Sequence, residues 1–154
     1  MTNSDVALDM DDFLVIRKDD RKSGVVTLTL NRPKQFNALS VELLSALQAE
    51  LDSIAQDDNI RVVVIAANGK AFCAGHNLKE MRAHSDEAFQ RALFQQCSHM
   101  MLTINRMPQV VIAKVQGIAT AAGCQLVAAC DVAVAADEAT FATPGINVGR
   151  FCST

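Results

Sequence analysis

The chain has 154 residues, 50% of them hydrophobic and 20% charged, and 14 Lys+Arg against 17 Asp+Glu leave a formal net charge of -3. That length and apolar share suit one packed domain, and the acidic balance excludes a basic nucleic-acid footprint. Seven Gly and three Pro exclude collagen-like and low-complexity readings.

Five cysteines, at 73, 97, 124, 130 and 152, make an odd count with no CxxC pair. This argues against a disulfide framework and a structural zinc site, and favours small buried thiols in a reducing compartment. The start, MTNSDVALDMDDF, is acidic and has no apolar run. It reads as neither a secretory signal nor an Arg-rich transit peptide, so a cytoplasmic location is the default expectation. Residues 1–12 are expected to form a solvated tail, and residues 13–154 one core that is incomplete at its C-terminal end.

Phe13–Lys18 and Val25–Leu30 predict two strands around the charged turn DDRKSG, and Pro33 ends the second. Ser40 is an N-cap candidate for a helix that carries Leu43, Leu44, Leu47, Leu51 and Ile54 on one face. Arg61–Ala67 is an apolar run expected to be a strand buried on both sides. Asn68-Gly69-Lys70 predicts a turn, followed by a loop, AFCAGHN. A longer helix is expected over 86–106 and ends before Pro108. Val110–Val115 predicts another buried strand, Gly123–Cys130 a short apolar helix and Asp131–Ala135 a last strand. The tail from Phe141 has no clear period. Strands alternating with amphipathic helices indicate an α/β fold.

The stretch 117–136 is long enough to cross a bilayer. Asp131 inside it would cost about 2.5–3.5 kcal/mol at mid-membrane, and Gln125 adds to that. Buried soluble core is the expected state.

Two loops offer backbone donors. Phe72-Cys73-Ala74-Gly75-His76-Asn77 follows a buried strand, and small residues there let main chain approach a ligand. The segment 117–124, GIATAAGC, joins a strand to a helix whose first N–H groups lack intrahelical partners. Two such donors converging on one oxygen would form an oxyanion hole. On spacing alone, most Gly-rich turns in α/β proteins are only turns.

NRPKQFNALS, then AFCAGHNLKEM, then KVQGIATAAGCQLVAACDVAVAADEATFATPGINVG resemble the crotonase superfamily of enoyl-CoA hydratases and isomerases. The likeness runs from about residue 13 to the end, in that family's order and spacing. It implies a crotonase-like spiral of strand-strand-helix units, present here as the N-terminal portion, without the C-terminal helices that close the site. It also implies assembly as trimers or paired trimers, and an acyl-CoA thioester as ligand in fatty-acyl metabolism. No cofactor is expected beyond the coenzyme A carried by the substrate. By resemblance, the oxyanion donors fall on the N–H groups of His76 and Ala122. Lys34 and Phe36, with Phe72, Ala74, Gly75, His76 and Asn77, match the path of coenzyme A and pantetheine. Ala119, Ala121, Ala122 and Gly123 line the thioester.

The chain departs from the family at both catalytic glutamates, whose positions hold Gln125 and Gly145. A Gln amide orients water but cannot take its proton, and Gly has no side chain. Positioned acid–base catalysis is worth about 100- to 10,000-fold per group, so hydratase chemistry by the usual route is not expected. Rival readings are a thioester hydrolase or decarboxylase with another base, a silent acyl-CoA binder or assembly subunit, and a truncated product with no stable fold.

Other groups have plainer expectations. The His76 ring should sit half-exposed at a pocket rim, and His84 and His99 on the surface or packed on a helix. Cys73, Cys124 and Cys130 should be fillers, and Met100, Met101 and Met107 core. Asp131 should cap or pair locally, and Asp137 and Glu138 should lie in a solvated turn.

Overall fold

The computed structural model describes residues 13–148. The expected tail at 1–12 and the last residues, Cys152 included, lie outside that range. Strand β1 (Val15–Asp20) turns back on β2 (Val25–Leu30), and the pair is antiparallel. Helix α1 (Val41–Ala55) follows, with the Ser40 hydroxyl accepting the Leu43 N–H as the sequence predicts. It leads into β3 (Val62–Ala67), which lies parallel to β2. Then come β4 (Ala71–Cys73), α2 (Leu78–Ala83) and α3 (Glu87–Arg106), the last capped by the Asp86 carboxylate. Strands β5 (Val110–Val115) and β6 (Ile118–Thr120), helix α4 (Ala122–Ala129), and strands β7 (Val132–Ala135) and β8 (Thr140–Ala142) complete the order.

The strands divide between two sheets. The larger has the order β1-β2-β3-β5-β7, parallel beyond β2, and the smaller is β4-β6-β8, parallel throughout. The first pair, β1 and β2, stays in the larger sheet, and each later pass contributes one strand to the larger sheet and one to the smaller, as in the expected spiral.

The core lies on one face of the larger sheet. Val26 and Leu28 of β2 are in register with Val63 and Ile65 of β3, and these with Val111 and Ala113 of β5, while Leu30 pairs with Ala67. All but the partly buried Ala67 are buried in one cluster with Leu43, Leu44, Leu47, Leu51 and Ile54 of α1 and Leu93, Cys97, Met100 and Ile104 of α3. The periodicity of 2 in the strands meets the 3.6 periodicity of the helices at this layer.

Several expectations are corrected here. The first strand begins two residues later than FLVIRK suggests and runs through both aspartates. Strands β3 and β5 are not buried on both sides: they alternate, because α1 and α3 cover a single face. Short strands occupy part of both loops, at Ala71–Cys73 and Ile118–Thr120, and α2 was not foreseen. The stretch 117–136 is not core throughout. Every residue of β7 is exposed, with Val132 at 48% and Val134 at 59%, and β7 ends the larger sheet among the described residues. Among the described residues, no helix is long and apolar enough to cross a membrane.

Helix α4 packs closely on β4. A Cβ built on Gly123 would lie 2.1 Å from the Cys73 carbonyl oxygen. Backbone atoms cannot give way as a flexible side-chain tip can, so the contact requires glycine. We predict that Gly123→Ala lowers unfolding free energy by about 3 kcal/mol, read as a fall in the urea midpoint at unchanged slope.

Candidate active site

The site is built on the loop between β2 and α1. Pro33 starts a 3-10 turn (Pro33–Gln35), and Phe36 and Asn37 then both adopt left-handed backbone, with φ of 53° and 51°. For a phenylalanine that conformation is an outlier, held by its surroundings. The Asn37 side chain holds it. Its Oδ1 accepts the Arg32 N–H at 2.8 Å, and its Nδ2 donates to the carbonyls of Asn68 and Ala71, each at 2.9 Å. Asn37 is 0% exposed, and these bonds satisfy an amide that would otherwise be costly to bury.

The loop then runs beside residues 74–77. The Ala74 N–H donates to Phe36 O (3.0 Å), the Leu39 N–H to Gly75 O (2.8 Å), and the Asn77 N–H to Leu39 O (3.1 Å). Leu39 and His76 thus form a parallel bridge. The residue between the two bonded groups, His76, turns its own N–H and C=O away from Leu39.

Next to this bridge lies the start of α4. Gly75 has φ of +87°, and a Cβ there would lie 3.0 Å from the Ala121 methyl and 3.2 Å from the Ala122 nitrogen. Ala121 has φ of 50° and ψ of -125°, a conformation that favours glycine. Its N–H donates to Ala142 O of β8 (2.8 Å), and its carbonyl accepts from Cys124 (2.9 Å) and Gln125 (3.1 Å). The Ala122 N–H opens the helix and has no acceptor among the described residues. Donors at a helix start carry the positive end of the dipole.

A cavity of about 390 Å³ adjoins these loops, lined by Lys34, Phe36, Ala74, His76, Asn77 and Lys79 among others. Five of the expected binding residues are therefore together. Lys79 was missed, although it stands within AFCAGHNLKEM, on the first turn of α2. Gly75, Ala121, Ala122 and Gly123 form the backbone contact behind the cavity rather than its described lining. Phe72 and Ala119 are corrections. Both are 0% exposed, and Phe72 is among the largest fully buried side chains, so they belong to the core. The Asn77 side chain is also spoken for, since it caps α2 by accepting the N–H groups of Lys79 and Glu80. His76 is partly exposed and lines the cavity, as expected. Both its nitrogens are buried, and the ring stands edge-on to Phe94 of α3, 5.1 Å between centroids.

Gln125 lies on the first turn of α4, partly buried. Gly145 is buried in the 3-10 turn Pro144–Val148, which follows β8. His84 and His99 are exposed, with His84 stacked on Phe89. Asp131 pairs locally as expected: its carboxylate accepts the Val111 N–H at 2.8 Å, and its own N–H donates to Val111 O. Met100 and Met101 are core, and the partly buried Met107 packs against that core. Asp137 and Glu138 are exposed between β7 and β8. Cys73, Cys97, Cys124 and Cys130 are thiols. Burial pushes the Cys73 thiol up to about 12, and the same effect, with Asp131 nearby, pushes Cys130 to about 12. A protonated, buried thiol is no nucleophile at neutral pH. Among the described residues, no three His, Cys, Asp or Glu side chains are grouped to hold a metal.

Residues 20–153 match the family model for enoyl-CoA hydratase/isomerase. Enoyl-CoA hydratase domain-containing protein 3, mitochondrial, of Xenopus laevis is 48% identical over 134 residues, covering 87% of this chain and 46% of the relative. A crystal structure of an enoyl-CoA hydratase from Mycobacterium smegmatis superimposes with a TM-score of 0.89 at 57% identity, over 92% of this chain and 55% of that one. The crystal structure of human enoyl Coenzyme A hydratase domain-containing protein 3 gives a TM-score of 0.86 at 42% identity, with the same coverage. The chain belongs to the enoyl-CoA hydratase/isomerase family and has the crotonase fold. It spans about half the length of the relatives it matches.

Two outcomes follow from this geometry. Ala121→Gly should raise stability by about 1 kcal/mol through relief of the positive φ, measured by denaturant melting. Iodoacetamide at pH 8 should spare Cys73 in the folded chain and modify it after unfolding, as peptide mapping will show. The raised pKa keeps that thiol protonated until far above this pH.

Proposed function

We propose that the chain binds an acyl-CoA thioester and polarises its carbonyl with the backbone N–H groups of His76 and Ala122. One observation carries this reading. Gly75 rests on Ala121 and Ala122, so residue 76, whose N–H is turned away from Leu39, directly follows a contact with Ala122, whose own N–H has no acceptor among the described residues. Two fixed donors at one oxygen stabilise an enolate by about 2.7–4 kcal/mol each, and backbone groups do so without reorganising.

The rest of the ligand follows the cavity. Lys34 and Lys79 stand at its rim, and their ammonium groups suit the phosphates of coenzyme A as point charges. Phe36, 53% exposed and fixed in a left-handed turn, offers an apolar surface to the pantetheine arm. The relatives' names include hydratases of enoyl-CoA, and the proposed role lies in fatty-acyl metabolism. Assembly as trimers or paired trimers belongs to the same proposal. The Xenopus laevis relative carries a mitochondrial name. For this chain we propose a reducing compartment, which suits its four described thiols.

Catalysis is where this chain differs. Gln125 holds a water through its amide and does not deprotonate it, and Gly145 contributes no group. No carboxylate is among the described residues that line the cavity. That observation favours a second reading, a binder that polarises the thioester and does not turn it over. A hydrolase or decarboxylase would have to recruit another base.

Calorimetric titration of butyryl-CoA, with free coenzyme A as control, tests the proposal on the chain at known oligomeric state. The expected result is saturable binding at least tenfold tighter for the thioester, a gap of about 1.4 kcal/mol. Equal affinity for both ligands would remove the oxyanion role. Enoyl-CoA left unhydrated by a chain that binds it would favour the second reading.

A further inference from the structure

We propose that Asn37 is a positioning residue for the oxyanion hole, a role that rests on the acyl-thioester reading above. The juxtaposition is specific. One buried amide ties together three backbone segments: the 3-10 turn through Arg32 N–H, the β3–β4 turn through Asn68 O, and the start of β4 through Ala71 O. Its own backbone is left-handed, as is that of Phe36. Because of that reversal the next residues run alongside 74–77, and Phe36 O, Gly75 O and Leu39 O take or receive the three bonds that set this loop.

The direction of the His76 N–H is a property of that loop. Residues 74–77 form no helix and only a single bridge with Leu39. Their orientation on one side therefore depends on where residues 36–39 stand. On the other side Gly75 meets Ala121 and Ala122. Asn37 sets the first of these two boundaries without touching the cavity itself. An Asn meets both demands, since its side chain donates twice and accepts once, and it tolerates left-handed backbone. Asn68 extends the arrangement, as its Nδ2 donates to Asn31 Oδ1 at 2.9 Å.

Asn37→Gly keeps the left-handed backbone at no steric cost and deletes the three side-chain bonds. Asn37→Asp keeps shape and acceptor and loses both donors. Each variant is titrated with butyryl-CoA and with S-butyl-CoA, a thioether that lacks the carbonyl. The expected result is a loss of about tenfold for the thioester, the size of one strong hydrogen bond, with the thioether changed less than twofold. Asn37→Gln does not restore the loss, because its longer chain cannot place the amide on both carbonyls. Equal weakening for both ligands would make Asn37 a purely structural residue and overturn the proposal, as would an unchanged thioester preference or the failure of both variants to fold.

Amide hydrogen exchange separates this inference from the reading beneath it. In the unsubstituted chain the Asn37 Nδ2 protons should exchange slowly, and the amides of 74–77 should lose protection in Asn37→Gly. Fast exchange of Nδ2, or an unaltered 74–77, would overturn the positioning role. If the unsubstituted chain shows no thioester preference while 74–77 still loosens, the acyl-thioester reading falls and Asn37 keeps its hold on the loop.

Discussion

The Cys73 carbonyl oxygen occupies the space that a side chain at position 123 would need. Helix α4 can therefore lie on β4 with backbone against backbone, and the geometry around it depends on that contact. Once the helix is pinned there, its first turn has one available position relative to the strand that precedes Gly75. Gly75 then meets Ala121 and Ala122, and the left-handed φ of both Gly75 and Ala121 is the conformational cost of bringing two chain segments this close. Close packing makes the arrangement stiff. A protein interior has no slack to absorb even one methyl group at such a point.

Polar groups complete what packing begins. Asn31 and Asn37 place amides in the interior, and the exposed Asn68 joins them, its carbonyl accepting from Asn37 Nδ2 and its own Nδ2 donating to Asn31 Oδ1. In a low-dielectric interior such bonds are strong, and a missing partner is costly. The loops have little regular structure of their own. Their order comes from these side-chain bonds and from the parallel bridge at Leu39 and His76. This explains how a segment without helix or extended strand can carry a directed N–H group.

The hydrophobic layer has a different role. It unites β2, β3 and β5 with α1 and α3 in a single cluster, and it supplies the frame on which the loops sit. The layer is one-sided, and the edge strands β7 and β8 carry exposed Val132, Val134 and Phe141. Those residues are apolar by sequence and exposed by position, and among the described residues β7 and β8 end their sheets. In the solved relatives, about 45% of the chain lies outside the matched region.

Local pattern by itself determined the α/β class, the helices over α1 and α3 with the Ser40 cap of the first, and most strand positions. These are set by near-neighbour physics: apolar spacing, caps and proline. Small residues and glycine marked the two loops, and the resemblance carried by NRPKQFNALS and AFCAGHNLKEM pointed to five of the residues that line the cavity. Only the tertiary structure decided which faces are buried. It turned Phe72 into the core and Asn77 onto α2, exposed β7, and put the His76 ring against Phe94. Pattern could not assign Asn37 its role either, because its partners at Asn68 and Ala71 lie 31 and 34 residues away. Hydrogen-bond partners so distant in sequence leave no periodic trace, and they exist only once the sheets have brought the turns together.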